Sequence, residues 1–336
     1  MPLADLLGQA LVKERLTSMV ESARVPQALL FVGPPGVGKA LAAISLVQTL
    51  SCSERHEGDA CGRCPSCIQI RRRNYPDLLI IKPEKRQIKI EQIRDLQEFV
   101  SYAPVVGERQ TIIIEDAHLL NQHAANALLK TLEEPGAAVS FILLSHRHNL
   151  LPATVLSRCL MLPFISLSGP IIVQILAQQA AAEGLDQADL EAAAAWSGGS
   201  MEQAIFFLDA ENLGWCRDFI ERFSCLPGES PQNTLDLAED VSNADFLEVI
   251  FSVLRSFLHD AMLGAQGVEN PTPALSGGLD KVSSFADLGV QSLLSMRQQL
   301  LEIERDLAVN INLKLAFEAF FMKIAITSGE TGLRGF

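Results

Sequence analysis

Short apolar runs alternate with amphipathic segments through the first half of the chain. The runs QALLFV, DLLII, TIII and SFILL have the length of buried strands and occupy residues 27–32, 77–81, 111–114 and 140–144. Apolar residues spaced three and four apart predict helices over residues 39–50, 90–101 and 121–134. Strands that alternate with helices form a parallel sheet with helical crossovers. The pattern therefore predicts an α/β domain.

The second half of the chain is predicted to be helical. Residues 166–169 resemble a hinge, and residues 171–195 are rich in Ala, Leu and Gln. Long amphipathic helices are predicted over 246–263 and 293–326, joined by a Gly/Pro/Ser-rich segment at 264–285. We predict three domains: an α/β domain over residues 1–165, a small helical domain over 166–208 and an all-α domain over 209–336.

Composition and charge limit the classes of function that this chain can have. The 336 residues are 48% hydrophobic and carry a net charge of −13, which disfavours a free-standing nucleic-acid-binding protein, since such proteins present basic surfaces. The triplet Arg71-Arg72-Arg73 fits a solvated face or a phosphate contact. No apolar run approaches the roughly 20 residues of a membrane span, and the first residues do not resemble a signal peptide. We therefore expect a cytoplasmic protein without a membrane partner.

A glycine-rich segment, Gly33-Pro34-Pro35-Gly36-Val37-Gly38-Lys39-Ala40, lies between a predicted strand and a predicted helix. It follows the pattern G-x-x-x-x-G-K-[S/T], in which backbone N–H groups surround phosphates and the lysine neutralises them. The last position normally supplies a hydroxyl ligand to Mg²⁺, but Ala40 has no oxygen. The segment predicts a nucleotide site that lacks one metal ligand; the alternative is a vestigial loop kept for its shape.

Two acidic residues, Glu115 and Asp116, end the third predicted strand. In a P-loop nucleotidase such a pair steadies Mg²⁺ and polarises the attacking water, commonly in the order Asp then Glu. The order is reversed here, which shifts each carboxylate by about one methylene, and a misplacement on the order of 1 Å can cost ~10²-fold in rate. The alternative is an ordinary helix cap.

Four of the seven cysteines form a cluster: Cys52, Cys61, Cys64 and Cys67. Thiolates at this spacing can surround one ion, and four cysteines favour a structural, tetrahedral Zn²⁺. An iron–sulfur cluster is the second interpretation, although the Cys-Pro that usually follows is absent. Unligated reduced thiols are the third.

Polar residues follow the fourth predicted strand. Ser145 and His146 are candidates to orient an attacking water, although His146 and His148 fit solvated loop residues better than a metal or acid–base role. Arg158 lies in a short polar segment between apolar residues. Its planar guanidinium suits a γ-phosphate, including one on a neighbouring subunit. The alternative for Arg158 is a surface salt bridge.

These pieces, in this order, resemble the subunits of the bacterial DNA polymerase III clamp loader, within the AAA+ superfamily. The resemblance runs along essentially the whole chain. It is carried by LFVGPPGVGK at 30–39, the four-cysteine insert at 52–67, NALLKTLEEP at 126–135 and LPxTxLSRC at 151–159. It implies an AAA+ domain with a zinc-binding insert, a small helical lid domain and an all-α collar domain in which helices such as NINLKLAFE at 310–318 join the subunits.

Departures from the family's ATP-hydrolysing gamma/tau subunit occur at three positions. Ala40 replaces the metal-binding hydroxyl, Glu115-Asp116 reverses the carboxylate order, and Glu202 occupies the position of the gamma/tau sensor-2 arginine. The resemblance then implies a subunit that holds ATP or ADP, if at all, without efficient hydrolysis. Arg158 matches an arginine finger that completes the ATP site of an adjacent subunit.

The resemblance also implies partners: the gamma/tau and delta subunits directly, and the sliding clamp and primer–template DNA indirectly. Two other functions remain as hypotheses. One is a catalytic ATPase of the gamma/tau type, and the other is a zinc-containing interaction module with no role in replication.

Overall fold

A computed structural model of the chain describes residues 2–85, 87–134, 136, 138–180, 186–268, 279–307 and 312–331. It divides into two compact units, Met1–Leu167 and Ser168–Phe336. Three of our expectations fall partly outside the described residues: the last residue of the NALLKTLEEP motif, the first two of NINLKLAFE, and residues 269–278 of the segment 264–285. The division into three domains stays a prediction.

The first unit has a parallel sheet between helices. Its strands are β1 (Ala28–Val32), β2 (Leu78–Ile81), β3 (Gln110–Ile114), β4 (Val139–Ser145) and β5 (Leu160–Pro163). Its helices are α1 (Ala10–Glu21), α2 (Lys39–Ser51), α3 (Pro65–Arg71), α4 (Ile90–Ser101), α5 (Gln122–Glu133) and α6 (Ala153–Leu156). Short 3₁₀ turns lie at Leu3–Asp5, Ala117–Leu119 and His148–Leu150.

The strands pair in the order β2-β3-β4-β1-β5, and every neighbouring pair is parallel. β1 lies inside the sheet, and all five of its residues are buried. Leu29 and Phe31 pack into one apolar core, whereas Leu30 and Val32 pack into a second core on the other face. Burial on both faces explains why the strand sequences are continuously apolar and do not alternate.

The predicted α/β domain is confirmed, with its four predicted strands and with α4 at its predicted bounds. The sequence did not predict β5. This strand has four residues, three of them exposed, and it lies at the sheet edge beside β1. Pro163, which cannot donate a backbone hydrogen bond, is tolerated at an edge. An exposed edge strand of this length does not stand out as an apolar run.

The second unit is helical throughout its described residues. Its helices are α7 (Gly169–Ala180), α8 (Gln187–Trp196), α9 (Met201–Phe206), α10 (Ala210–Ser224), α11 (Pro231–Ser242), α12 (Leu247–Ala265), α13 (Leu279–Ala286), α14 (Val290–Asp306) and α15 (Leu313–Thr331). Phe223 of α10 lies at the centre of an aromatic cluster. Its ring centroid is 5.2 Å from Phe257, 5.1 Å from Phe285 and 5.6 Å from Phe321.

Three predicted segments of this unit differ from the structure. Residues 171–195 contain α7 and α8, because Asp186 and Asp189 form a capping box that starts α8. Residues 293–326 contain parts of α14 and α15, and the Asn312 side chain accepts a hydrogen bond from Leu315 N at the start of α15. The predicted linker 264–285 contains most of α13, which buries Phe285.

None of the described helices is both long and apolar enough to cross a membrane.

Gly33 gives the first prediction. Phe164, which directly follows β5, leaves no room for a side chain at Gly33. A Cβ at Gly33 would overlap the Phe164 carbonyl oxygen and lie 2.9 Å from Phe164 Cβ, and its φ is +150°. We expect Gly33→Ala to destabilise the chain by about 2–3 kcal/mol, measured as a lower thermal midpoint. Gly214→Ala is the matched control, because nothing lies within 4 Å of its Cβ position in α10. An unchanged midpoint for Gly33→Ala would contradict this packing.

Candidate functional site

The carboxyl ends of β1, β3 and β4 lie at one edge of the sheet, where parallel α/β folds bind ligands. Gly33 follows β1, Glu115 follows β3 and Ser145 ends β4. Gly33 N donates a hydrogen bond to Ser145 O at 3.2 Å. The structure thus brings together the glycine-rich loop, the acidic pair and Ser145, as the order of elements in the sequence predicts.

The glycine-rich loop has the backbone shape of a phosphate cradle. Gly36 and Gly38 have φ of 69° and 95°, and Gly38 is the N-cap of α2. Pro34 and Pro35 are exposed, whereas Val37 is buried in the core and Ala40 packs against that core. Lys39 is buried as a residue, and its ammonium donates to Gly33 O at 2.7 Å and to Pro34 O. The loop could hold phosphates at a helix N-terminus, where anions are favoured.

Glu115 is paired with cations from the neighbouring part of the sheet. Its Oε2 lies 3.0 Å from Lys82 Nζ, and its Oε1 lies 3.8 Å from Arg73 Nη1. Lys82 directly follows β2, and Arg73 belongs to the basic triplet. Both carboxylate oxygens are therefore engaged by basic side chains. The sequence did not predict this pairing. Arg73, for which we expected a solvated face or a phosphate contact, lies instead beside the Glu115 carboxylate.

Asp116 has a different set of neighbours. Its backbone is left-handed, with φ 48° and ψ 48°, a conformation that Asp and Asn adopt more readily than most residues. Its Oδ1 lies 3.2 Å from His146 Nδ1, and this hydrogen bond is the main reason that the pKa of Asp116 is lowered. Asp116 and Glu115 thus belong to separate charge clusters although they are adjacent in the chain.

His118 joins this second cluster, and the sequence analysis missed it. The rings of His118 and His146 meet edge to face, with centroids 4.1 Å apart. Ser145 Oγ is buried and lies 3.4 Å from His118 Nδ1. Burial and, next, the electrostatic effect of His146 lower the pKa of His118 to about 4, so its imidazole is neutral at pH 7. Its place two residues after Asp116 was the signal available in the sequence.

The four clustered cysteines come together, each from a different backbone position. Cys52 is the C-cap of α2, Cys61 lies in the loop, Cys64 is the N-cap of α3, and Cys67 lies in the first turn of α3. Their sulfur atoms all lie within 4.8 Å of one another. The Cys52 and Cys64 sulfurs are 3.9 Å apart, close to the ~3.8 Å edge of a tetrahedron with Zn–S bonds of about 2.3 Å. The cluster could bind a metal ion.

Hydrogen bonds to the sulfur atoms favour a thiolate at Cys64, whereas burial raises the pKa of Cys52 and of Cys67. Cys61 N donates to Cys52 Sγ, and Cys64 N donates to Cys61 Sγ, each at 3.3 Å. Burial raises the pKa of Cys64, but hydrogen bonds from Cys67 and Ser53 outweigh it and lower that pKa to about 6. A thiolate is the form of cysteine that binds metals.

Asp59 ties the insert to the rest of the first unit. Its carboxylate accepts hydrogen bonds from Leu3 N at 3.0 Å, Ala4 N at 2.8 Å and Thr49 Oγ1 at 2.8 Å. These donors belong to the chain's amino-terminal turn and to α2. The insert is therefore attached to the helix that carries Lys39.

Arg158 lies between α6 and β5, with its side chain partly exposed. Its Nη2 donates to Glu133 Oε1 at 2.5 Å, and its Nη1 donates to Thr154 O at 2.9 Å. Glu133 is the last residue of α5. The guanidinium is therefore held at the surface by an ion pair, which is the arrangement that the salt-bridge alternative predicted and which leaves the arginine-finger role a proposal.

The family match lies almost entirely in the first unit. Residues 8–168 match the profile of the family described as DNA polymerase III, delta subunit. The chain is 41% identical over 157 residues to DNA polymerase III subunit tau of Salmonella typhimurium, covering 47% of this chain and 24% of that protein. It is 37% identical over 134 residues to DNA polymerase III subunit delta' of Pseudomonas aeruginosa, covering 39% of this chain and 41% of that protein.

A solved structure extends the likeness to both units. The crystal structure of a DNA polymerase III, gamma subunit-related protein from Thermotoga maritima has a TM-score of 0.51 and 18% identity, and it covers 94% of this chain and 99% of that one. At that identity the likeness shows the fold alone. It confirms the predicted fold class, an α/β P-loop domain followed by helical parts.

Together these matches confirm the predicted resemblance to DNA polymerase III clamp-loader subunits. The chain spans 24–25% of the length of the first tau and tau/gamma relatives that it matches. Relatives named tau and relatives named delta' both match this chain.

The three cysteines outside the cluster give the second prediction. Burial raises the pKa of Cys216 to about 12 and that of Cys159 to about 11, whereas Cys225 is exposed. A thiol with a pKa near 12 is ~10⁻⁴ thiolate at pH 8, and the thiolate is the reactive form. We expect a disulfide reagent at pH 8 to modify Cys225 quickly in the folded chain and to leave Cys159 and Cys216 unmodified, as mapped by mass spectrometry. Denatured chain is the control, in which all three should react; rapid modification of folded Cys216 would refute the prediction.

Proposed function

We propose that this chain is the delta-prime subunit of a bacterial DNA polymerase III clamp loader. In this role it assembles in the cytoplasm with gamma/tau and delta subunits and helps to load the sliding clamp onto primed DNA. Its own ATPase activity is weak or absent. Its contribution to hydrolysis is Arg158, which acts on ATP held by a neighbouring subunit.

The observation that carries this proposal is the pairing of Glu115 with Lys82 and Arg73. A carboxylate whose two oxygens already face cations is a poor Mg²⁺ ligand. Ala40 offers no hydroxyl for the same ion. Two of the metal contacts that P-loop ATPases use are therefore weakened at one site.

The glycine-rich loop supports a binding role without catalysis. The left-handed glycines and the N-terminus of α2 remain suited to phosphates. We propose that residues 33–40, together with Glu115, Asp116 and Ser145, border a site for ATP or ADP that turns over slowly. The four-cysteine insert holds one structural Zn²⁺, since four protein ligands leave no open position for catalysis.

A catalytic ATPase of the gamma/tau type is the second candidate. The 41% identity to a tau subunit over 157 residues and the complete loop up to Lys39 favour it. The two candidates differ in one measurement, the ATPase activity of the isolated chain. Substantial turnover that Lys39→Ala abolishes would support the catalytic type and overturn our proposal.

Arg158 provides the third prediction. In a complex reconstituted with gamma/tau and delta subunits, Arg158→Ala should slow hydrolysis at the adjacent site by on the order of 10³-fold, since that is the lower range for an arginine finger. Arg158→Lys should also be impaired, because lysine lacks the planar fork. The assay is DNA-stimulated ATP turnover at saturating ATP.

Arg63→Ala is the control for the loss of one surface charge, because Arg63 is 83% exposed and makes one weak ion pair with Glu54. It should leave turnover unchanged. If the complex with Arg158→Ala assembles normally and hydrolyses ATP at the original rate, the finger role is wrong, although a structural role in the loader would stand.

The cysteine cluster provides the fourth prediction. The purified chain should contain about one zinc per molecule, and a strong chelator should release it while four protected thiols become reactive. Cys67→Ser should lower the zinc content and the thermal midpoint, because Cys67 is fully buried. Cys225→Ser, at an exposed cysteine outside the cluster, should change neither. Iron with visible absorption, or no metal at all, would contradict the zinc assignment.

A further inference from the structure

The chain contains a second group of metal-binding side chains that is separate from the four cysteines. The ligand atoms of Asp116, His118 and His146 all lie within 4.8 Å of one another. Asp116 and His146 are partly buried, and His118 is buried. Asp116 and His118 follow β3, and His146 follows β4. The fold brings these three residues together because β3 and β4 are neighbouring strands of the sheet.

We propose that Asp116, His118 and His146 form a binding site for a divalent transition metal of the Zn²⁺ or Co²⁺ type. The proposal goes beyond the clamp-loader function and does not rest on it. It places a metal ion at the carboxyl ends of β3 and β4. This ion differs in its ligand preference from the Mg²⁺ of P-loop ATPases.

The donor types select this class of metal. Two imidazoles and one carboxylate suit Zn²⁺ and its neighbours, whereas Mg²⁺ demands oxygen ligands in octahedral geometry. Three protein ligands leave a fourth position open for water or an anion oxygen, as in zinc sites with an exchangeable position. The glycine-rich loop at the same sheet edge could bring such an oxygen on a phosphate.

One pair of donor atoms already lies at the spacing of a metal site, and all the donor atoms lie within 4.8 Å of one another. Donors on a tetrahedral zinc with bonds of about 2.0–2.1 Å are about 3.3 Å apart, and His146 Nδ1 lies 3.2 Å from Asp116 Oδ1. The contact between Ser145 Oγ and His118 Nδ1 orients the His118 ring, in the way that hydrogen-bond partners orient metal-binding histidines. The left-handed backbone at Asp116 turns its carboxylate towards His146 and away from the cations that pair with Glu115.

The surrounding charges set the expected strength. Lys39 and Arg147 are close enough to act electrostatically on His118, and both oppose a bound cation. The Asp116 carboxylate offsets one of these charges. We therefore expect this site to bind more weakly than the four-cysteine cluster and to exchange its metal freely.

The test uses the full chain with its cysteine cluster already loaded. Titration with Zn²⁺ or Co²⁺ alone, followed by calorimetry and by metal analysis after gel filtration, should reveal one further equivalent in the wild type. Asp116→Asn, which keeps a residue that tolerates φ 48°, and His146→Gln should each weaken this equivalent by more than about tenfold. Loss of even an outer-shell partner costs 10–100-fold at such sites. The same titration with Mg²⁺ should show much weaker binding.

His148→Ala is the matched control, because His148 is an exposed histidine of the same loop outside the Asp116, His118 and His146 group. It should retain the further equivalent. Circular dichroism checks that the variants fold; His146 is 29% exposed, so His146→Gln decides the question if Asp116→Asn unfolds. Absence of a further equivalent in the wild type, its persistence in both ligand variants, or equal affinity for Mg²⁺ and Zn²⁺ would overturn the proposal.

Discussion

Parallel pairing of β1 between β4 and β5 is the constraint on which the candidate sites of the first unit depend. Val32 pairs with Ser145 on one side and with Pro163 on the other, so the chain leaves all three strands at the same edge. Gly33 must follow without a side chain because Phe164 occupies the space beside it. The glycine-rich loop, the acidic pair and the histidines are close together because buried apolar strands hold them there.

Charge at this edge is divided into two groups by a single backbone turn. Glu115 continues the direction of β3 and meets Lys82 and Arg73, whereas Asp116 adopts a left-handed conformation and meets His146. A pair that reads in the sequence as a reversed catalytic motif is therefore two carboxylates with separate partners: cations at Glu115 and a histidine hydrogen bond at Asp116. Glu115 faces two cations, and Asp116 lies beside the nitrogen donors of His118 and His146.

Much of the fold could be predicted because its signals are local. The apolar strands, the helix Ile90–Ser101 and the order strand–loop–helix around Lys39 follow from runs and periods of a few residues. The sequence pattern failed to predict elements that are stabilised by contacts with residues distant in the chain. β5 has exposed residues and depends on β1 for its pairing, and α13 lies in a Gly/Pro/Ser-rich segment but buries Phe285 against Phe223 and Phe257.

The sequence by itself determined most of the element types of the first unit, the phosphate-loop motif with its missing hydroxyl and the cysteine cluster, since each depends on residues that are near one another in the chain. Tertiary structure alone decided which charges meet. His146 reaches Asp116 across 30 residues, and Arg158 reaches Glu133 across 25. Electrostatic energy depends on distance through space, and strand order and backbone turns set that distance. The spacing of residues along a sequence does not.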